Sequence, residues 1–291
     1  MKGVSRGYLF GIGSALIFSL VSILGKIIMK NGVEPGVLIF WQYTGVLFVL
    51  SLYFLITKKS LKLESITLLP IAAMSILANL CFYTSMGYIG AGLATLLLYF
   101  ASAITALFFF FTGIRGIKKL EWLAIILALL GSAFSLEIFN GFSLNLIGIG
   151  AGLLSALAYS LYGIGIDLKL KDENFMKINF YIALQGLVII SLFNFSKDVV
   201  PWAIEGRDIL ALVIIGLIAG VVPNYMSFHS IRLIGADKTS VVMSMELPAT
   251  VILAFFILQE RMGLVQALGI VLVLASVILL RSLEGPEGVE D

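Results

Sequence analysis

SALIFSL at Ser14–Leu20 returns 141 residues later as SALAYSL at Ser155–Leu161, with five of seven residues the same. The echo is wider than one phrase. YIGAG at Tyr88–Gly92 returns as LIGAD at Leu233–Asp237, an offset of 145 that also sets Asn79 on Asn224 and Thr105 on Thr250. The chain therefore reads as two copies of one unit, with a few residues inserted within the second. Residues 1–140 form the first copy and 141–282 the second; the polar stretch 283–291 has no apolar face and reads as a solvated tail.

Charged residues are 12% of the 291 and hydrophobic residues 60%, with a mean hydropathy of +1.09. An ordinary soluble chain carries about 25% charged residues. So few charges cannot cover that much apolar surface in water, so the chain reads as an all-α, polytopic membrane protein. Apolar runs of about 20 residues match the thickness of a bilayer core. They predict ten helices, at 8–29, 36–57, 67–87, 91–112, 121–138, 146–167, 176–196, 209–232, 236–259 and 264–281. The connections near Gly90 and Gly235 are very short and predict antiparallel hairpins. The first apolar run has no cleavage site after it and reads as a retained helix. The one cysteine, Cys81, excludes an internal disulfide and reads as a small apolar residue.

Lys and Arg set the orientation. With a cytoplasmic N-terminus, 14 of the 19 basic residues lie inside and 5 outside. Both termini are thus expected in the cytoplasm of a cell (inner) membrane. Five helices per copy is an odd number, so the second copy crosses the membrane upside down. The charges follow: YIGAGLA, outside, has no basic residue, while its inside partner RLIGADKT has Arg232 and Lys238. Two inverted five-helix repeats can exchange conformations and turn an inward-open cavity into an outward-open one, the logic of a secondary transporter.

The paired phrases, the IGA turns and the segment Met245–Ser276 resemble the drug/metabolite transporter superfamily, EamA-like branch, over about residues 7–281. Pro248, Glu260 and Gly269 match the proline, glycine–glutamate and glycine pattern, with Gln259 in place of the glycine. The first copy has Ala103 and Arg115 where the second has Pro248 and Glu260. The resemblance implies export or exchange of small metabolites, often amino acids or their relatives.

Polar side chains at membrane depth are costly unless they face a partner or a wet cavity. Glu246, midway along the ninth helix, is the candidate for proton coupling or for contact with a substrate amine; a structural role at the Pro248 kink is the alternative. Asn79 and Asn224 form an offset-related pair. Tyr83 lies one turn after Asn79. Thr95, Tyr99 and Ser102 make a stripe on the fourth helix, and Ser155, Tyr159 and Tyr162 one on the sixth. The candidate substrate contacts are Asn79, Tyr83, Tyr99, Ser102, Tyr159, Asn224, Ser244 and Glu246, although such groups also hold helices together. The lone His229 reads as a hydrogen-bonded packing group. Pro223 and Pro248 predict two kinks that the first copy, with Ala78 and Ala103, lacks.

ILGKII has no Ser or Thr after its lysine and is not a P-loop. No HExxH, CxxC or GxSxG occurs, so an enzyme reading has no motif, and no cofactor, metal or nucleic-acid partner is indicated. No Lys or Arg lies deep enough to bind a phosphate, because Lys26 can snorkel to the outer interface. The expected partners are a small solute, the lipid bilayer and, through Glu246, protons. The competing readings are a channel-like facilitator or lipid flippase of the same fold, and a membrane receptor or assembly partner.

Overall fold

A computed structural model describes residues 2–30, 33–62, 67–135, 145–196, 199–202, 216, 218, 220–257 and 263–283. Gln259, Glu260 and the tail beyond 283 lie outside the described residues. The described elements are all helical: α1 (Lys2–Lys30), α2 (Pro35–Thr57), α3 (Leu68–Tyr99), α4 (Ala101–Thr112), α5 (Lys119–Ser135), α6 (Leu146–Lys169), α7 (Phe175–Ser196), α8 (Val222–Ile234), α9 (Ala236–Met243), α10 (Glu246–Ile257) and α11 (Leu264–Ser282). Among the described residues, eight stretches are long and apolar enough to cross a bilayer. The helix ends carry local signals. Pro35 opens α2, the Asn145 side chain accepts from Gly148 N at 3.0 Å to open α6, and Gly113, at φ +65°, closes α4.

The boundaries differ from the sequence reading in three places. The fifth span is the 17-residue α5, which runs up to residues outside the description. Of the eighth span, 209–232, residues 209–215 are also outside it, and Val222–Ile234 is helix. The third and fourth spans share α3, one run of helix. The chain still doubles back inside that run, because Ser85 and Leu97 both lie against Gly152. Twelve residues of straight helix would separate them by about 18 Å. In the second half the same reversal is made openly at Gly235, which has φ +89°.

Helix contact in a membrane depends on close backbone approach and on small residues. Here those residues come in matched sets. A Cβ on Gly7 would meet Ile234 at 2.6 Å, and one on Gly148 would meet Ile89 at 2.6 Å. A Cβ on Gly11 would meet Val242 and Ser230; one on Gly152 would meet Leu97 and Ser85. Ser14 Oγ donates to Pro223 O at 2.8 Å, and Ser155 Oγ donates to Ala78 O at 2.8 Å. Positions 7, 11 and 14 become 148, 152 and 155 on adding 141. Their partners 78, 85, 89 and 97 become 223, 230, 234 and 242 on adding 145. So α1 packs on α8 as α6 packs on the first part of α3.

Two further pairs complete the bundle: α2 against α7, and α5 against α11. The second is a backbone contact. A Cβ on Gly131 would lie 2.8 Å from Gly269 O, and one on Gly269 would lie 2.6 Å from Gly131 O. Large apolar side chains cover the outside, among them Phe111, Phe195 and Leu264. That surface suits hydrocarbon, where every helical backbone group is already bonded within its own segment.

Candidate functional site

The fourth and ninth spans both break in mid-course. α9 ends at Met243 and α10 starts at Glu246. Pro248 has no N–H, so Ser244 O loses its usual donor four residues on. Leu247 N takes that carbonyl instead, at 3.2 Å, and Ser244 N and Met245 N also bond three residues back, at 3.1 Å each. The helix tightens into a 3₁₀-like turn there. In the first half α3 stops at Tyr99 and α4 starts at Ala101. Phe100 N bonds Leu97 O at 3.1 Å, and Ser102 Oγ bonds Tyr99 O at 2.9 Å. Positions 100 and 245 correspond under the 145 offset. The expectation that the first copy lacks the Pro248-type kink is therefore corrected: it breaks at the same place without a proline. Pro223 does mark a break of the second half alone. It sits in the first turn of α8, while Ala78 lies within α3.

The two breaks meet. The Tyr99 hydroxyl lies 3.0 Å from Glu246 Oε2 and 3.2 Å from Met243 O. With one proton it donates to one of them at a time. Glu246 is thus not the isolated carboxylate that the sequence suggests; a phenol from the other half reaches it. Thr250 Oγ1 bonds Glu246 O at 2.8 Å, which fixes the first turn of α10. Tyr83 and Tyr159 are neighbours of Glu246. The Tyr159 and Tyr162 rings are 6.2 Å apart. Asn79 Nδ2 donates to Tyr43 Oη at 3.3 Å, and Tyr43 is in turn a neighbour of Tyr83 and Tyr162. The result is a carboxylate with tyrosines around it, drawn from α2, α3 and α6.

Five of the eight sequence candidates are therefore brought into one neighbourhood: Asn79, Tyr83, Tyr99, Tyr159 and Glu246. The other three each bond a backbone carbonyl three or four residues back in the chain. Ser102 bonds Tyr99 O, Ser244 bonds Val241 O at 2.6 Å, and Asn224 bonds Gly220 O at 2.9 Å. Ser102 and Ser244 thereby hold the two breaks in shape. His229 bonds Tyr225 O at 2.9 Å and stacks on the Tyr225 ring at 4.1 Å, in keeping with a packing group. Tyr43 was missed. The polar WQYT run at Trp41–Thr44, in an otherwise apolar helix, is the signal that could have found it.

Beside this cluster lies a small cavity of about 20 Å³, bounded by Tyr159, Tyr162, Met243, Thr105 and Thr239. That is room for about one water. Thr105 and Ser160 share a hydrogen bond of 2.8 Å in its wall, and Ser230 and Thr239 one of 3.0 Å.

Residues 5–136 match the EamA-like transporter family, and residues 146–282 match it again. The chain belongs to the EamA-like transporter family. It is a multi-pass membrane protein of a transporter family rather than an enzyme family. No curated protein matches the chain. A solved structure titled "Crystal structure of protein" superposes with a TM-score of 0.82 over 95% of this chain and 98% of its own, at 15% identity, a likeness of fold. In this EamA-like transporter the two matched segments divide the site between them. Asn79, Tyr83 and Tyr99 come from the first, and Tyr159 and Glu246 from the second.

Proposed function

We propose that the chain is a secondary carrier for small neutral or zwitterionic metabolites, amino acids or related compounds, and that it works by alternating access in the export direction. It has ten helices in two inverted five-helix repeats, 1–140 and 141–282, in the cell (inner) membrane with both termini in the cytoplasm. One observation carries this reading: the exchange of contacts between halves. Each helix of the Gly7–Gly11–Ser14 and Gly148–Gly152–Ser155 pair packs on the other half, at positions that correspond under the repeat offsets. Two such interfaces can trade conformations at little net cost, because each offers the other's geometry. The carboxylate and phenols of the tyrosine cluster suit a solute with both an ammonium and a polar or aromatic body.

The test is counterflow in proteoliposomes with a panel of amino acids and their relatives. Accumulation of a labelled member, driven by the same unlabelled solute inside, is expected. A channel-like facilitator would give equilibration without counterflow overshoot. The flippase reading draws on an apolar groove of about 280 Å³ on the side of the bundle, between α1, α10 and α11. Lipid scrambling in the same vesicles, with no counterflow for any solute, would replace the carrier by that reading.

The orientation has its own test. In a Cys81→Ala background, an impermeant maleimide added outside cells should label Trp202→Cys and spare Ile117→Cys. The reverse pattern overturns the topology.

A further inference from the structure

Arg115 follows the end of α4 and reaches across to two carboxylates of the other half. Its Nη1 is 2.5 Å from Asp237 Oδ1, on α9, and its Nη2 is 3.2 Å from Asp167 Oδ2, on α6. Asp167 Oδ2 also accepts the Ala236 N–H at 2.9 Å, and Lys171 Nζ lies 3.1 Å from Asp167 Oδ1. The two acids are 1% and 5% exposed at the side chain, whereas Arg115 is 33% exposed. The guanidinium also lies over the Phe109 ring, 4.6 Å from its centre. Gly235 leaves the slot: a Cβ there would collide with the guanidinium, and its φ of +89° disfavours any other residue. Burial pulls the Arg115 pKa down, but Asp237 and Asp167 outweigh it and hold the group above its ordinary value.

The clasp shares walls with the cavity. Gly163 and Ala236 line the cavity; Asp167 is one turn beyond Gly163, and Ala236 is the residue that donates to Asp167. Arg115 comes from the first matched segment and both acids from the second, so any relative movement of the halves at this end strains these bonds. A buried ion pair is a weak source of net stability, and its best-attested use is to specify one arrangement over another. We infer that Arg115, Asp167 and Asp237 form a gate that shuts this end of the cavity, and that a solute crossing this end passes only when the gate has parted. The inference rests on the carrier reading above and gives that site its control.

Labelling tests it without any substrate. Ser227, a cavity-lining residue, is changed to Cys in a Cys81→Ala background, and maleimide is applied to vesicles from the face that bears Arg115. Adding Arg115→Ala should speed the labelling roughly tenfold, because both carboxylates lose their shared partner at once. Asp237→Asn keeps shape and hydrogen bonding but removes a charge, and should speed it by a smaller factor. An unchanged rate in either folded variant overturns the gate. Failure of both variants to fold also overturns it, in favour of a structural clasp. Faster labelling in a protein that transports no solute would keep the gate and remove the carrier; counterflow with unchanged labelling would do the reverse.

Discussion

Glu246→Gln is expected to fold and insert normally, yet to lose most transport of an amine-bearing solute. The glutamine carbonyl can still accept the proton of Tyr99, so the bond that joins the two helix breaks survives. What disappears is the charge and the ability to exchange a proton. A hydrogen bond to a charged group contributes about 1.5–3 kcal/mol, a loss of roughly 10- to 150-fold in affinity. The pH dependence of transport should flatten as well. Glu246→Ala separates this from a structural role, since it removes the acceptor too. Were the residue only a brace, Gln would transport at full rate with unchanged pH dependence, and Ala alone would lower the melting temperature. Counterflow across a pH series, with melting curves for both variants, decides between them.

The other large effect is expected at Gly269→Val. Besides the Ser135 hydroxyl, a side chain there would strike two backbone atoms: Gly131 O at 2.6 Å and the amide of Ser135. No rotamer change can move them, so α5 and α11 would have to separate along their length. Overpacking a core costs about 1–3 kcal/mol even where side chains can shift. The upper end of that range corresponds to a fall of roughly 6–12 °C in apparent melting temperature. Leu268→Val, on the exposed neighbouring position, should leave it unchanged. Melting followed by size-exclusion in detergent reads both. Equal melting of the two variants would mean that the glycine contact does not hold the pair.

The repeat was legible because it is written in short phrases at constant offsets, and its glycines and serines turned out to be the contact residues themselves. The first-half break at Phe100 was not legible. No proline marks it, and that turn is shaped instead by the Ser102 hydroxyl and by contact with the facing break. Asn224 is hard to read from sequence for a related reason. An amide at membrane depth looks functional, but it can be satisfied by the carbonyl one turn back, as here by Gly220. The carboxylate Glu246 is legible as a candidate, since an acid in an apolar run stands out. Its partner Tyr99 and the more distant Tyr43 were set by tertiary packing, which no local pattern encodes. The proposed gate is half visible in the sequence. Arg115 was noticed as a departure from Glu260, but Asp167 lies 52 residues away from it in sequence and only folding makes them neighbours.

The meeting of the two breaks also fixes a lever. α4, from Ala101 to Thr112, is 12 residues long, an arm of about 18 Å with its fulcrum at Tyr99. Near the fulcrum a small tilt moves almost nothing, so the contact between Tyr99 and Glu246 can persist. At the far end, where Arg115 begins its reach, a tilt of about 10° sweeps about 3 Å. That displacement is as long as the hydrogen bonds of the clasp, so on the proposed gate a rotation too slight to disturb the carboxylate would be enough to unlatch the arm.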